Sequence, residues 1–165
     1  ISKSWLRPLP PELPQIDAEA LMLDPSDFYT DIEHNIARSG QHLFLIFADG
    51  DTPAFAYSIG NALQGLPELL LIGNFSPRVA GSILNELGRK MREARRPLEG
   101  DIDVGGQFPV RLRHASAEAR HRFTFQAGRY LRHEEYDILQ VLLCDPAGVY
   151  PAEPGCAPAF DVPLA

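Results

Sequence analysis

The chain has 165 residues, 45% of them hydrophobic and 22% charged, with a formal net charge of −7. That length suits one domain, expected over 1–165, with a core that needs no staples. The acidic balance excludes a bulk nucleic-acid binder, whose affinity rests on a positive footprint. No apolar run approaches the roughly 20 residues that cross a bilayer. "ISKSWLRPLP" lacks the apolar centre of a signal peptide. Two cysteines, Cys144 and Cys156, make no disulfide framework and are expected as reduced thiols. A cytoplasmic protein with no membrane partner is the resulting expectation.

In chain order, the proline-rich stretch 1–23 reads as an extended arm, because proline fixes φ, removes a donor and restricts its predecessor. A core over 24–150 follows. "DPSDFYTDIEHNIARSG" predicts a helix with Asp24 as N-cap and Pro25 at the first position. Phe28, Ile32 and Ile36 form its buried stripe and Gly40 its left-handed stop. Strands are predicted at 42–48, 54–59 and 68–74, the first two joined through "DGD", a hairpin signal. The third is apolar enough to be buried on both faces. A second helix opens at Ser76–Pro77, with Val79, Ile83, Leu87 and Met91 as its expected core stripe. "PLEGDIDVGGQF" reads as a loop with a short strand, and 109–115 as a strand with one wet face. Ser116 is expected to cap a third helix carrying Ala119, Phe123, Ala127 and Tyr130 on one side. The last strand is 137–145, and 151–165 is a proline-rich tail. Hairpins and helical crossovers are mixed, so the expected fold is α+β: a mixed, largely antiparallel sheet of about five strands with about three helices packed on it.

Few motifs carry chemistry. "GDIDVGG" precedes a strand where a phosphate loop must precede a helix, and it lacks the Lys-Ser/Thr ending. His34, His42, His114, His121 and His133 show no metal-ligand spacing, so no metal and no cofactor is expected. "AYSIG" lacks the spacing of a nucleophile elbow, and Cys144, ending an apolar strand, reads as a small core residue. Arg89, Lys90, Arg92, Arg95 and Arg96 form a basic run that the C-terminal end of a helix dipole explains. Glu68 is unusual: it stands directly before "LLLIG", where a charge either caps the strand in solvent or is buried and needs a partner.

"FAYSIG", then "LPELLLIG", then a helix carrying "ILNEL", then "DPAGVYP", together resemble the bacterial domain-of-unknown-function family numbered 4262 over roughly residues 25–165. Ser58, Asn61, Leu66 and Ala152 depart from the threonine, leucine, histidine and tryptophan usual in that pattern. The resemblance implies a fold and candidate positions, and no reaction.

Two functions are carried forward. The first is a non-catalytic module that binds a small ligand or a protein, with proline-rich ends suited to wrapping a second copy in a homo-oligomer. The second is an enzyme of unknown class with a polar site near Tyr57, Ser58 and Glu68, and His114 or Asp145 as proton-transfer partner. The candidate ligand-binding residues are therefore Tyr57, Ser58, Glu68, His114 and Asp145.

Overall fold

The computed structural model describes residues 25–165. The N-terminal arm and the Asp24 cap lie outside the described residues. Helix α1 (Pro25–Ser39) ends where Gly40, at φ 88°, donates its amide to the Ile36 carbonyl at 2.7 Å. Ile32 of its predicted stripe is fully buried, flanked by the half-buried Phe28 and Ile36.

Six strands follow: β1 (His42–Ile46), β2 (Phe55–Ile59), β3 (Glu68–Ile72), β4 (Gly100–Ile102), β5 (Val110–His114) and β6 (Ile138–Leu142). They form one sheet in the order β1-β2-β3-β6-β5-β4. The β3–β6 pair at its centre is parallel and the other four pairs are antiparallel. The fold is the expected α+β class with a mixed sheet. The sixth strand, β4, is the short one read inside "PLEGDIDVGGQF". Both central strands are buried along their whole length, as apolar runs without alternation require.

Helix α2 (Pro77–Ala94) packs on one face of the sheet, against Ala56, Leu69, Leu71, Leu112, Leu139 and Val141. Ser76 caps it by accepting the Val79 amide at 3.2 Å. Its buried stripe is Ala80, Leu84, Leu87, Gly88 and Met91. Leu87 and Met91 were expected there; Val79 is exposed and Ile83 is half-buried. The small residues Ala80 and Gly88 let the helix close on the sheet, which rotates the contact away from Val79.

The other face is covered by α1, by α3 (Ala119–Arg122) and by α4 (Phe125–Leu131). A single third helix was expected over this region; the chain breaks it at Thr124. The Thr124 hydroxyl lies 2.8 Å from the Tyr136 phenol oxygen and within reach of the Arg120 carbonyl, a local bond that competes with helix propagation. Ala119, Phe123 and Ala127 still face the core, so the hydrophobic period survives the break. The tail folds back on this same face. Gln140, fully buried in β6, donates to the Pro163 carbonyl at 2.8 Å and accepts the Ala165 amide at 2.8 Å. Val162 and Ala165 pack against the core there.

Candidate functional site

Glu68 opens β3 beside the end of β2, and none of its surface reaches solvent. The β2–β3 ladder stops at Tyr57 opposite Leu70. Beyond it the chain turns through Gly60 into a 3-10 helix (Asn61–Gln64), whose entry aims successive amides inward. Glu68 Oε1 accepts from the Gly60 and Ala62 amides at 2.8 and 2.9 Å, and Oε2 accepts from the Ser58 hydroxyl at 2.6 Å. The Ser58 oxygen in turn accepts from the Leu69 amide at 2.9 Å and from Asn61 Nδ2 at 3.1 Å. One proton given and two lone pairs filled leave that hydroxyl saturated.

The network continues outward without an unmet group. Asn61 Nδ2 also donates to Gln41 Oε1 at 2.9 Å, while Gln41 Nε2 donates to the Leu84 carbonyl at 3.0 Å and to Asn85 Oδ1 at 3.2 Å. Arg92 closes it, donating to Asn61 Oδ1 at 2.7 Å, to Gln41 Oε1 at 3.1 Å and to the Ser39 carbonyl at 2.8 Å. A buried carboxylate and a half-buried guanidinium are thus joined through Asn61 rather than directly. Burial raises the Glu68 pKa above the ordinary carboxylate range, and the bonds from Ala62, Ser58, Gly60 and Asn61 draw it partly back. Burial lowers the Arg92 pKa, and the Glu68 charge opposes that. Gly88 makes the approach of α2 possible: a Cβ there would lie 2.7 Å from Gln41 Cδ and 2.8 Å from Arg92 Nη1.

The other candidate residues are dispersed. Tyr57 lies within the aromatic core, 5.4 Å from the Phe44 ring and 6.3 Å from that of Phe55, and its burial pushes the phenol pKa up. His114 ends β5 opposite Leu139, exposed. Asp145 follows the opposite end of β6 from Ile138, which pairs with Glu68. Its carboxylate accepts from the Ala147, Val149 and Ala157 amides, each at 2.9 Å, and these bonds hold its pKa below the usual range. It stands on the wall of a cleft of about 450 Å³ lined mainly by apolar side chains, among them Ile83, Phe108, Leu143 and Phe160. Cys144, on the same wall, is a free thiol whose pKa burial raises. The structure therefore joins Ser58 to Glu68, with Tyr57 adjacent in sequence, and keeps Asp145 apart from them.

Three members of the basic run, Arg89, Lys90 and Arg92, are likewise accounted for. Arg89 forms ion pairs with Glu86 at 2.8 Å and Glu93 at 2.6 Å, Lys90 meets Glu86 at 3.4 Å, and Arg92 belongs to the buried network.

A second cavity, of about 290 Å³, lies where α3, α4 and residues 132–136 meet. Arg120, His121, Arg129, Arg132 and His133 line it together with the rings of Phe125 and Tyr136. Glu134 is the carboxylate in its wall, 3.3 Å from His121 Nδ1. Arg120 donates to the Tyr136 carbonyl at 2.8 Å, and its Nε is buried without a partner. The residues were present in the sequence as "ARHRFTFQAGRYLRH", where His121, Phe125, Gly128, Arg129 and Arg132 recur at the spacing of one helix face.

The family model for Domain of unknown function (DUF4262) matches residues 35–157, most of the chain. The chain belongs to the DUF4262 family. The matched stretch of this DUF4262 member holds both the Glu68 network and the cationic cavity. No curated protein and no solved structure gives a significant match. Among the described residues, no group of three or more His, Cys, Asp or Glu side chains is placed to hold a metal ion, and no helix is long and apolar enough to cross a membrane.

Proposed function

We propose that this DUF4262 domain is a non-catalytic module that binds a small ligand in the cavity between α3 and α4. The observation that supports it is a contrast in how polar groups are used. Ser58 and Glu68, a hydroxyl and a carboxylate at 2.6 Å, have the pairing of a nucleophile and a base. Yet both are fully buried, and every neighbouring donor and acceptor is already matched, which is the chemistry of a structural fastener. In the α3–α4 cavity the reverse holds: Arg129, Arg132 and His133 are exposed, and among the described residues no carboxylate pairs with either arginine. Concave sites that combine aromatic walls with a few convergent polar groups are where small ligands bind.

The test is a thermal-denaturation screen of neutral, cationic and anionic fragments against the chain and against an Arg129→Gln/Arg132→Gln variant. The reading expects at least one fragment class to raise the melting temperature of the chain and to lose that effect in the variant. Stabilisation that the variant retains in full, or turnover that Ser58→Ala abolishes, would contradict it.

A further inference from the structure

The same cavity specifies a class of ligand. We infer that it is an anion site for an organic phosphomonoester, an inference that rests on the α3–α4 cavity being the binding site. Part of the positive charge of this acidic chain is answered internally. Arg89 and Lys90 have Glu86 and Glu93, and Arg111 has Asp101 at 2.9 Å and Glu153 at 2.7 Å. Three arginines and two histidines line one cavity of about 290 Å³, with Glu134 as the carboxylate in its wall.

The helix dipole explains part of this cluster and no more. Arg129 and Arg132 stand at the C-terminal end of α4, where cations are favoured. Arg120 and His121 come from α3, and no dipole of α4 requires them on the same cavity wall. Arg120 is also held in place before any ligand arrives. One guanidinium nitrogen is fixed on the Tyr136 carbonyl at 2.8 Å, Nε is buried without an acceptor, and the group lies 5.9 Å from the Tyr136 ring. A guanidinium fixed in this way beside an aromatic ring is pre-organised, and its terminal nitrogens rather than the buried Nε would meet an oxyanion. Arg132 adopts the left-handed conformation at φ 60°, as Arg95 does at the end of α2.

Charge and shape then choose within the oxyanions. Guanidinium forks accept both carboxylate and phosphate. A phosphomonoester carries close to two negative charges at neutral pH, the better match to three arginines facing one carboxylate. Phe125, 47% exposed with the Arg129 guanidinium 5.9 Å from its ring, supplies an apolar wall for an organic body that inorganic phosphate lacks.

The experiment is calorimetric titration with phenyl phosphate, benzoate, phenol and inorganic phosphate, on the wild-type chain and on single Arg129→Gln and Arg132→Gln variants. Both side chains are exposed, so the variants are expected to keep the wild-type melting temperature. Phenyl phosphate should bind about tenfold more tightly than benzoate, and each variant should weaken it by about tenfold, the size of one charged hydrogen bond. Added salt should weaken it too. Absence of phenyl phosphate binding, or binding by both variants as tight as by the wild-type chain, overturns the inference. Phenol binding as tight as that of phenyl phosphate, with amide shifts confined to residues 120–136, would overturn the phosphate assignment and leave the cavity as a binding site. Inorganic phosphate binding as tightly as phenyl phosphate would overturn the organic body.

Discussion

At the residue scale, Glu68 decides how the opening of β3 is read. Replacing it by glutamine keeps the shape but turns one oxygen into a donor. The oxygen facing Ser58 now accepts that residue's proton, while the Ser58 lone pairs are filled by Leu69 and Asn61. An amide donor there has no acceptor, so Glu68→Gln should cost about 1–3 kcal/mol in urea unfolding at neutral pH. The pH dependence has a definite sign. Glu68 has a native pKa raised by burial above its unfolded value of about 4.3. Its contribution to stability is therefore complete below the unfolded value and is lost as pH rises through the native one. The stability difference between wild type and Glu68→Gln should grow in favour of wild type as pH falls from neutral toward 4. A difference that shrinks over that range would mean that the hydrogen bonds outweigh burial. Gly88→Ala tests the same fastener from the α2 side. Alanine gains about 1 kcal/mol of helix propensity, but its Cβ displaces Gln41, which is held by Asn61 and Arg92. Overpacking at a fixed neighbour costs about 1–3 kcal/mol, so net destabilisation is expected in the same unfolding assay.

At the element scale, what the sequence made legible followed from local chemistry. The Ser76–Pro77 start of α2, the Gly40 stop of α1 and the identity of five strands all rest on caps, turns and runs that act within a few residues. Two features did not follow. The α2 stripe turned toward Ala80 and Gly88 because close packing rewards small residues, which a hydrophobicity pattern undervalues. The break between α3 and α4 depends on a bond from Thr124 to Tyr136, a partner outside the helix. Thr124→Val removes the hydroxyl and keeps the outline. It should lower stability by about 1 kcal/mol and let the segment straighten, measured as a gain in helical circular dichroism. Unchanged stability with an unchanged spectrum would show that the break has another cause.

At the scale of the whole molecule, the fold holds two kinds of polar cluster, one buried and saturated and one lining a cavity. Glu68 was legible as an anomaly because a lone charge preceded an apolar strand. Its partners Gln41, Asn61 and Arg92 were not, because three other segments bring them in. His121, Arg129 and Arg132 shared a helical face in the sequence, but nothing there showed that a cavity lay against it. The tail was expected to be irregular, and 151–165 forms no helix or strand; Pro163 and Ala165 bond to Gln140 of the sheet. Deleting 161–165 should expose Gln140, lower the melting temperature and speed proteolysis, and Gln140→Leu in the shortened chain should recover part of the loss.

The central claim is that ligand meets the α3–α4 cavity while the Glu68 network only holds the fold. Mapping backbone amide shifts by NMR during a phenyl phosphate titration tests it most directly. The account predicts saturable shifts within residues 120–136, with the Gly60, Ala62 and Leu69 amides unmoved. Saturable shifts at those three amides, with residues 120–136 unmoved, would contradict it.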